Sequence, residues 1–323
     1  MRLTSFQRLA LWTTAATYFL ILVGGLVRAS GAGLGCPDWP RCFGSWIPPA
    51  SVADLPPQFD AAQFNPTLMW TEYLNRLLGV TVGFLILATT VSAWRHHRHQ
   101  PRLVWITTAA LLLTGFQGWL GGRVVAHELA AWIVTAHMIV ALLIVQTLLY
   151  VTVTGAQGAQ GARGAQSARG ALSVACAVLI GLTLVQIGFG TQVRGAVDSA
   201  LDAGVARDSA LATVGWLDDL HRDLAFAVLA AAAALSFWLF SRGVPALVLR
   251  WSLVVLALAL VQVLLGAVMA YGSLIPAAQV GHLTVASLLL GAETILWLQS
   301  RSEAASSRST LRRDTAAAMP PAV

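Results

Sequence analysis

Three histidines in apolar surroundings, His137, His221 and His282, are the residues of this sequence best suited to hold a metal. Each stands one or two helical turns inside a long apolar run. An ionisable ring is expensive in hydrocarbon, which marks such positions as functional. Two imidazoles on facing helices of a four-helix bundle can hold a haem iron in six-coordination, and His221 and His282 have that disposition. Arg222, beside His221, offers a guanidinium fork to a carboxylate of the macrocycle. The counterpart of His221 nearer the N-terminus is Asn75, a poor iron ligand, which leaves His137 as the one credible ligand of that region. Glu72 precedes Asn75 by three residues and shares its helix face. There a carboxylate can accept a proton, stabilise charge or simply pair with Arg76.

The other candidates have blander readings. His96, His97 and His99 belong to the basic run Trp-Arg-His-His-Arg-His-Gln, read as a hydrated loop at head-group level. His127, near Arg123 and Glu128, is a solvated loop residue or a substrate contact. Cys36 and Cys42 flank five residues of a loop on the oxidising side, where a disulfide is expected to form. That bridge would serve either as a staple or in redox chemistry. Cys176 is read as a small apolar filler.

The elements that position these groups follow from composition. Of 323 residues, 57% are hydrophobic and 11% charged, against about 25% charged in soluble domains. So few charges cannot cover a water-facing surface, which excludes a soluble enzyme, a disordered chain and a disulfide-stapled secreted domain. All 20 basic residues are arginine, so no Schiff-base or phosphate-loop lysine exists. Runs of about 20 apolar residues predict eight spans, near 8–28, 72–94, 102–121, 131–153, 172–191, 218–241, 248–270 and 278–299. Threading them alternately puts thirteen arginines and three acids on one side, and seven arginines and eleven acids on the other. Arginine excess marks the cytoplasm, so both termini are expected there, and the net charge of +6 points to topology rather than nucleic acid. Residues 29–71 and 191–217 are read as loops on the far side, and the Gly/Ala/Gln-rich segment 154–171 as a flexible cytoplasmic linker.

The spans read as one unit written twice. Trp70-Thr-Glu72-Tyr-Leu-Asn75-Arg76 opens span 2, and Trp216-Leu-Asp218-Asp-Leu-His221-Arg222 opens span 6. Gln117 pairs with Gln262, and His137 with His282, at the same spacing of 145 residues. Spans 1 and 5 end in Gly-Gly-Leu-Val-Arg28 and Gly-Thr-Gln-Val-Arg194. The expected fold is therefore an all-α integral membrane protein, eight transmembrane helices formed by tandem duplication of a four-helix bundle. Residues 1–153 form an N-terminal half and 172–299 a C-terminal half, with 300–323 as a disordered cytoplasmic tail.

Taken together, Gly31-Ala-Gly-Leu-Gly-Cys36-Pro-Asp-Trp-Pro-Arg-Cys42, the Glu-x-x-(His/Asn)-Arg start of span 2, Gln117-Gly-Trp-Leu-Gly-Gly-Arg123 and the three histidines resemble the haem A synthase family. The resemblance covers all eight spans. It implies a bacterial plasma-membrane enzyme that oxidises the ring-D methyl of haem O to a formyl group through a hydroxymethyl stage. It implies a b-type haem on His221 and His282, the substrate haem at His137, and Glu72 as the acid needed for activity. Haem O synthase and a terminal oxidase or its assembly factors would be its partners, within membrane lipid and without nucleic acid. Family members commonly have histidine where this chain has Asn75, and some carry a second cysteine pair that 191–217 lacks. Two other readings use the same residues: a di-histidine membrane cytochrome without substrate chemistry, and a parallel-repeat transporter with a midplane polar site.

Overall fold

The computed structural model describes residues 3–164, 170–272 and 274–317. Among them are eight long helices: α1 (Ser5–Ala29), α2 (Pro66–His96), α3 (Pro101–Ala126), α4 (Ala131–Gly164), α5 (Ala171–Asp202), α6 (Trp216–Ser241), α7 (Ala246–Tyr271) and α8 (Pro276–Ala317). Each contains a stretch long and apolar enough to cross a bilayer. The described residues form no strand ladder, as an apolar solvent requires of a chain that must satisfy its backbone within each span. Helix α4 continues to Gly164 through the first part of the linker expected over 154–171, and α8 continues to Ala317 through most of the tail expected from 300; residues 165–169 and 318–323 lie outside those described.

Local signals set the helix starts. Thr4 and Gln7 form a reciprocal capping box at α1, Asn65 caps α2 through Leu68 N–H, and proline occupies the first turn of α2 and α3. The loop expected over 191–217 is shorter than that. Helix α5 runs on to Asp202, because Arg194 and Asp198 pair one turn apart (2.7 Å) and Val197 packs with Ala210 and Leu274.

The first four helices pack as α1 on α2 and α4, and α3 on α2 and α4; the last four repeat the scheme as α5 on α6 and α8, and α7 on α6 and α8. Between the two sets, α4 meets α8, α1 meets α8 and α5 meets α4. Exchanging the sets reproduces this pattern. Small residues allow the approach: a methyl on Gly195 of α5 would stand 2.6 Å from that of Ala131 on α4, and Gly291 of α8 receives the Tyr18 hydroxyl of α1. Paired threonines, Thr13 with Thr89 (3.0 Å) and Thr14 with Thr152 (3.1 Å), bind α1 to α2 and α4. The apolar interior of the last four helices centres on Leu179, Leu239, Val255 and Leu296.

The connection between α1 and α2 folds as a capped loop. Phe43 is fully buried among Met69, Phe59 and Phe64, beside the Cys36–Cys42 disulfide. Gly35 lies so close to α2 that an added Cβ would stand 2.4 Å from the Leu68 carbonyl oxygen.

Candidate functional site

Two of the three histidines face one another. The rings of His221 on α6 and His282 on α8 have centroids 6.4 Å apart and planes at 63°. They line a cavity of about 390 Å³ together with Gln186, Gln262, Arg194 and Arg222. Nδ1 of each ring is buried without a hydrogen-bond partner.

The donor set fits a haem iron. Two metal–imidazole bonds of about 2 Å each leave room for one iron between rings at this separation. Arginine side chains also line the cavity. Arg28 reaches it from α1 and Arg194 from α5, and both bind Asp198. Arg194 also donates to Gln279 Oε1 at 2.6 Å. Arg222 pairs one turn back with Asp218 at 2.5 Å.

Two of the histidines are held by the same device on a neighbouring helix. Gln117 Nε2 donates to the His137 carbonyl (2.9 Å), and Gln186 Nε2 to that of His221 (2.8 Å). One turn after each glutamine comes a glycine whose missing side chain makes room for the ring. A methyl at Gly121 would lie 3.5 Å from His137 Cε1, and one at Gly190 2.9 Å from His221 Cε1. On α7, Gln262 and Gly266 have the same spacing, and Gly266 faces His282 Cε1 at 3.6 Å. The fourth helix, α1, has Leu20 and Gly24 in the corresponding places, with nothing within 4 Å of Gly24. It faces the region where the histidine is replaced by Asn75. The Gln-x-x-x-Gly spacing was legible in the sequence, but its meaning depends on which helix it faces.

The N-terminal candidates divide into two groups. His137, Gln117 and Gly121 come together on α3 and α4. Glu72 and Arg76 instead engage the disulfide loop. Glu72 is 5% exposed; its Oε2 accepts from Cys36 N–H (2.8 Å) and its Oε1 from Arg76 (2.5 Å). Arg76 donates onward to the carbonyls of Asp38 (2.7 Å) and Arg41 (2.8 Å). Asn75 Oδ1, His137 Nδ1 and Gln117 Oε1 are buried and unpartnered. Among the described residues, no hydrogen bond joins His137 to Asn75 or Glu72.

The loop pinned by Glu72 covers this region. Trp39 lies over Gly122, where an added Cβ would meet its ring at 2.8 Å, one residue past the glycine that seats His137. Trp39, Asp38, Trp119 and Arg123 line a second cavity of about 440 Å³. Arg123 also contacts His127 at 2.5 Å, which keeps His127 at the exposed end of α3.

Eight helices long and apolar enough to cross a membrane, six of them lining a di-histidine cavity, define a polytopic membrane protein with an interior pocket. Residues 7–294 match the family model described as cytochrome oxidase assembly protein, COX15-CtaA. The chain belongs to that family. It is 27% identical over 225 residues to a heme A synthase from Allorhizobium ampelinum, an alignment covering 62% of this chain and 59% of the relative. Over 132 residues it is 30% identical to one from Shouchella clausii, covering 41% and 39% of the two chains. Over 124 residues it is 33% identical to one from Geobacillus kaustophilus, covering 38% and 34%. The aligned stretches thus span from about a third to about three fifths of these relatives' lengths.

Proposed function

We propose that this chain is a haem A synthase, oxidising the ring-D methyl of haem O to a formyl group by way of a hydroxymethyl. The observation that carries the reading is the His221–His282 pair, with centroids 6.4 Å apart in a cavity edged by arginines. A b-type haem held by these two rings would supply a one-electron carrier through which electrons leave. Arg28, Arg194 and Arg222 would hold its carboxylates. Four electrons, passed one at a time through that carrier to an external electron acceptor, and four protons would leave the methyl and one water, the source of the product's oxygen atom.

The substrate is assigned to the first four helices. His137, oriented by Gln117, ligates its iron there, and Asn75 and Arg76 stand on the opposing helix. Glu72 is the catalytic carboxylate of this site. Both of its oxygens already accept hydrogen bonds, which favours stabilising positive charge at the methyl carbon over abstracting a proton. The Cys36–Cys42 disulfide keeps the covering loop in shape.

The repeated contacts support a tandem duplication, with 1–153 placing the substrate and 172–299 the electron carrier. Both termini are assigned to the cytoplasmic side of a bacterial plasma membrane, with both sites toward the outer side. Haem O synthase and a terminal oxidase or its assembly factors are the partners this activity requires. The test is the optical spectrum of the purified protein together with its extracted haems. A b-type haem accompanied by O- or A-type haem is expected. A b-type haem alone would leave an electron-transfer cytochrome, and no haem would overturn the reading.

A further inference from the structure

One buried acid lies outside everything described above. Glu293 on α8 is 1% exposed in the middle of an apolar bundle. It follows His282 by eleven residues, three turns or about 16 Å along the same helix face. Its Oε1 accepts from the Thr183 hydroxyl of α5 at 2.7 Å, while Oε2 is buried without a partner. Thr183 is itself a lining residue of the His221/His282 cavity, on the same strip of α5 as Gln186 and Gly190. The carboxyl therefore sits directly behind the cavity wall, linked to it by one hydroxyl.

The seam continues away from the cavity. Two turns from Thr183, α5 presents the buried Cys176, and two turns from Glu293, α8 presents the buried Ser300, whose hydroxyl donates to the Trp297 carbonyl at 2.7 Å. Thr183 and Glu293 thus form a two-residue polar link behind the cavity wall, with Cys176 and Ser300 two turns further along the same seam. Among the described residues no cation pairs with Glu293. Of the other titratable groups on helices packed against α8, Tyr18 of α1 sets its hydroxyl on Gly291. Tyr150 of α4 and Arg250 of α7 neither hydrogen-bond nor ion-pair with the carboxyl.

A carboxyl with a spare oxygen is a costly way to fill a membrane interior, and an apolar side chain would pack the seam as well. We propose that Glu293 is a proton-uptake site coupled to electron arrival in the His221/His282 cavity. The carboxylate takes one proton, becoming a carboxylic acid, for each electron delivered to the cavity, and releases it when the electron leaves. The proton comes from solvent water, with the Thr183 hydroxyl as the link between the carboxyl and the cavity. The coupling is reciprocal: protonation favours holding the electron as much as the electron favours protonation. It rests on the haem reading of the cavity.

Redox-difference infrared spectroscopy on the full-length, haem-loaded protein, reduced with dithionite, tests this. Reduction is expected to produce a carboxylic-acid C=O band that shifts in D2O and disappears in Glu293→Gln. The midpoint potential should fall with rising pH in the parent and lose that slope in the variant. Thr183→Val keeps the shape and removes the hydroxyl, and it should move the band in frequency. A protein that binds and reduces haem normally with no carboxyl band overturns the proposal. So does a band that persists unchanged in Glu293→Gln or stays unmoved in Thr183→Val. Absence of any bound haem would overturn the reading beneath it, and the proposal with it.

Discussion

Gly190 and His221 are in direct steric register: a methyl on the glycine would stand 2.9 Å from Cε1 of the ring. The place of the histidine on α6 is therefore set by a side chain that α5 lacks. The carbonyl of the same histidine accepts from Gln186 at 2.8 Å, one turn before the glycine. Ring and backbone are thus located by a single strip of the neighbouring helix.

Gly190→Ala should consequently displace the ring rather than unfold the bundle, since overpacking by one methyl costs about 1–3 kcal/mol. Haem retention is expected to fall at least tenfold, with helix content by circular dichroism unchanged. Retention at the parent level would show that the ring does not ligate from this position.

His282→Ala removes one of two facing imidazoles, and the b-type haem should be lost from the purified protein. His137→Ala should leave that haem's spectrum intact while abolishing haem A formation, because His137 packs on Gly121 of α3, away from the His221–His282 pair. Pyridine haemochrome spectra of the two variants check both halves of the prediction. Equal loss of b-type haem in both would contradict the division of sites.

Replacing Arg76 by Met leaves Glu72 buried without its counter-charge and frees the Asp38 and Arg41 carbonyls. Breaking one side of a buried pair costs about 3–5 kcal/mol. The loop should become accessible to proteolysis between Cys36 and α2. Glu72→Ala should abolish haem A formation while bound b-type haem remains; continued product would refute the role given to the acid.

Asp198 receives Arg28 from α1 and Arg194 from its own helix, so it couples the first four helices to the last four. Asp198→Asn should lower stability by about 1–3 kcal/mol, visible as a reduced thermal midpoint in detergent. It leaves two like charges at the cavity mouth, so added haem should restore the midpoint by supplying carboxylates. No recovery with haem would argue against these arginines as its anchors.

Much of this was legible in the chain as a string. Eight apolar runs, the arginine asymmetry, the 145-residue spacing of His137 and His282, and the Cys36–Cys42 pair all precede any coordinates. Hydropathy is a local property that survives projection onto one dimension, so spans can be counted from it. Loop length is harder to read: residues 192–202 are polar enough to resemble a connector, yet they continue α5 because Arg194 and Asp198 pair on one face.

What tertiary structure alone decided is the direction each helix face takes. In a bilayer the faces that meet lipid and the faces that meet other helices are both apolar, so composition does not distinguish them. Rotation about each helix axis is settled by close approaches such as Gly190 with His221, or Gly291 with Tyr18. Only that rotation turns Arg28 toward Asp198, ties Glu72 to the Cys36 amide as well as to Arg76, and sets Glu293 behind the wall of a cavity three turns from His282. The sequence by itself determined which residues could do chemistry and that they are carried on eight spans. Which of them meet was decided by packing, because contacts between helices depend on azimuth and depth together.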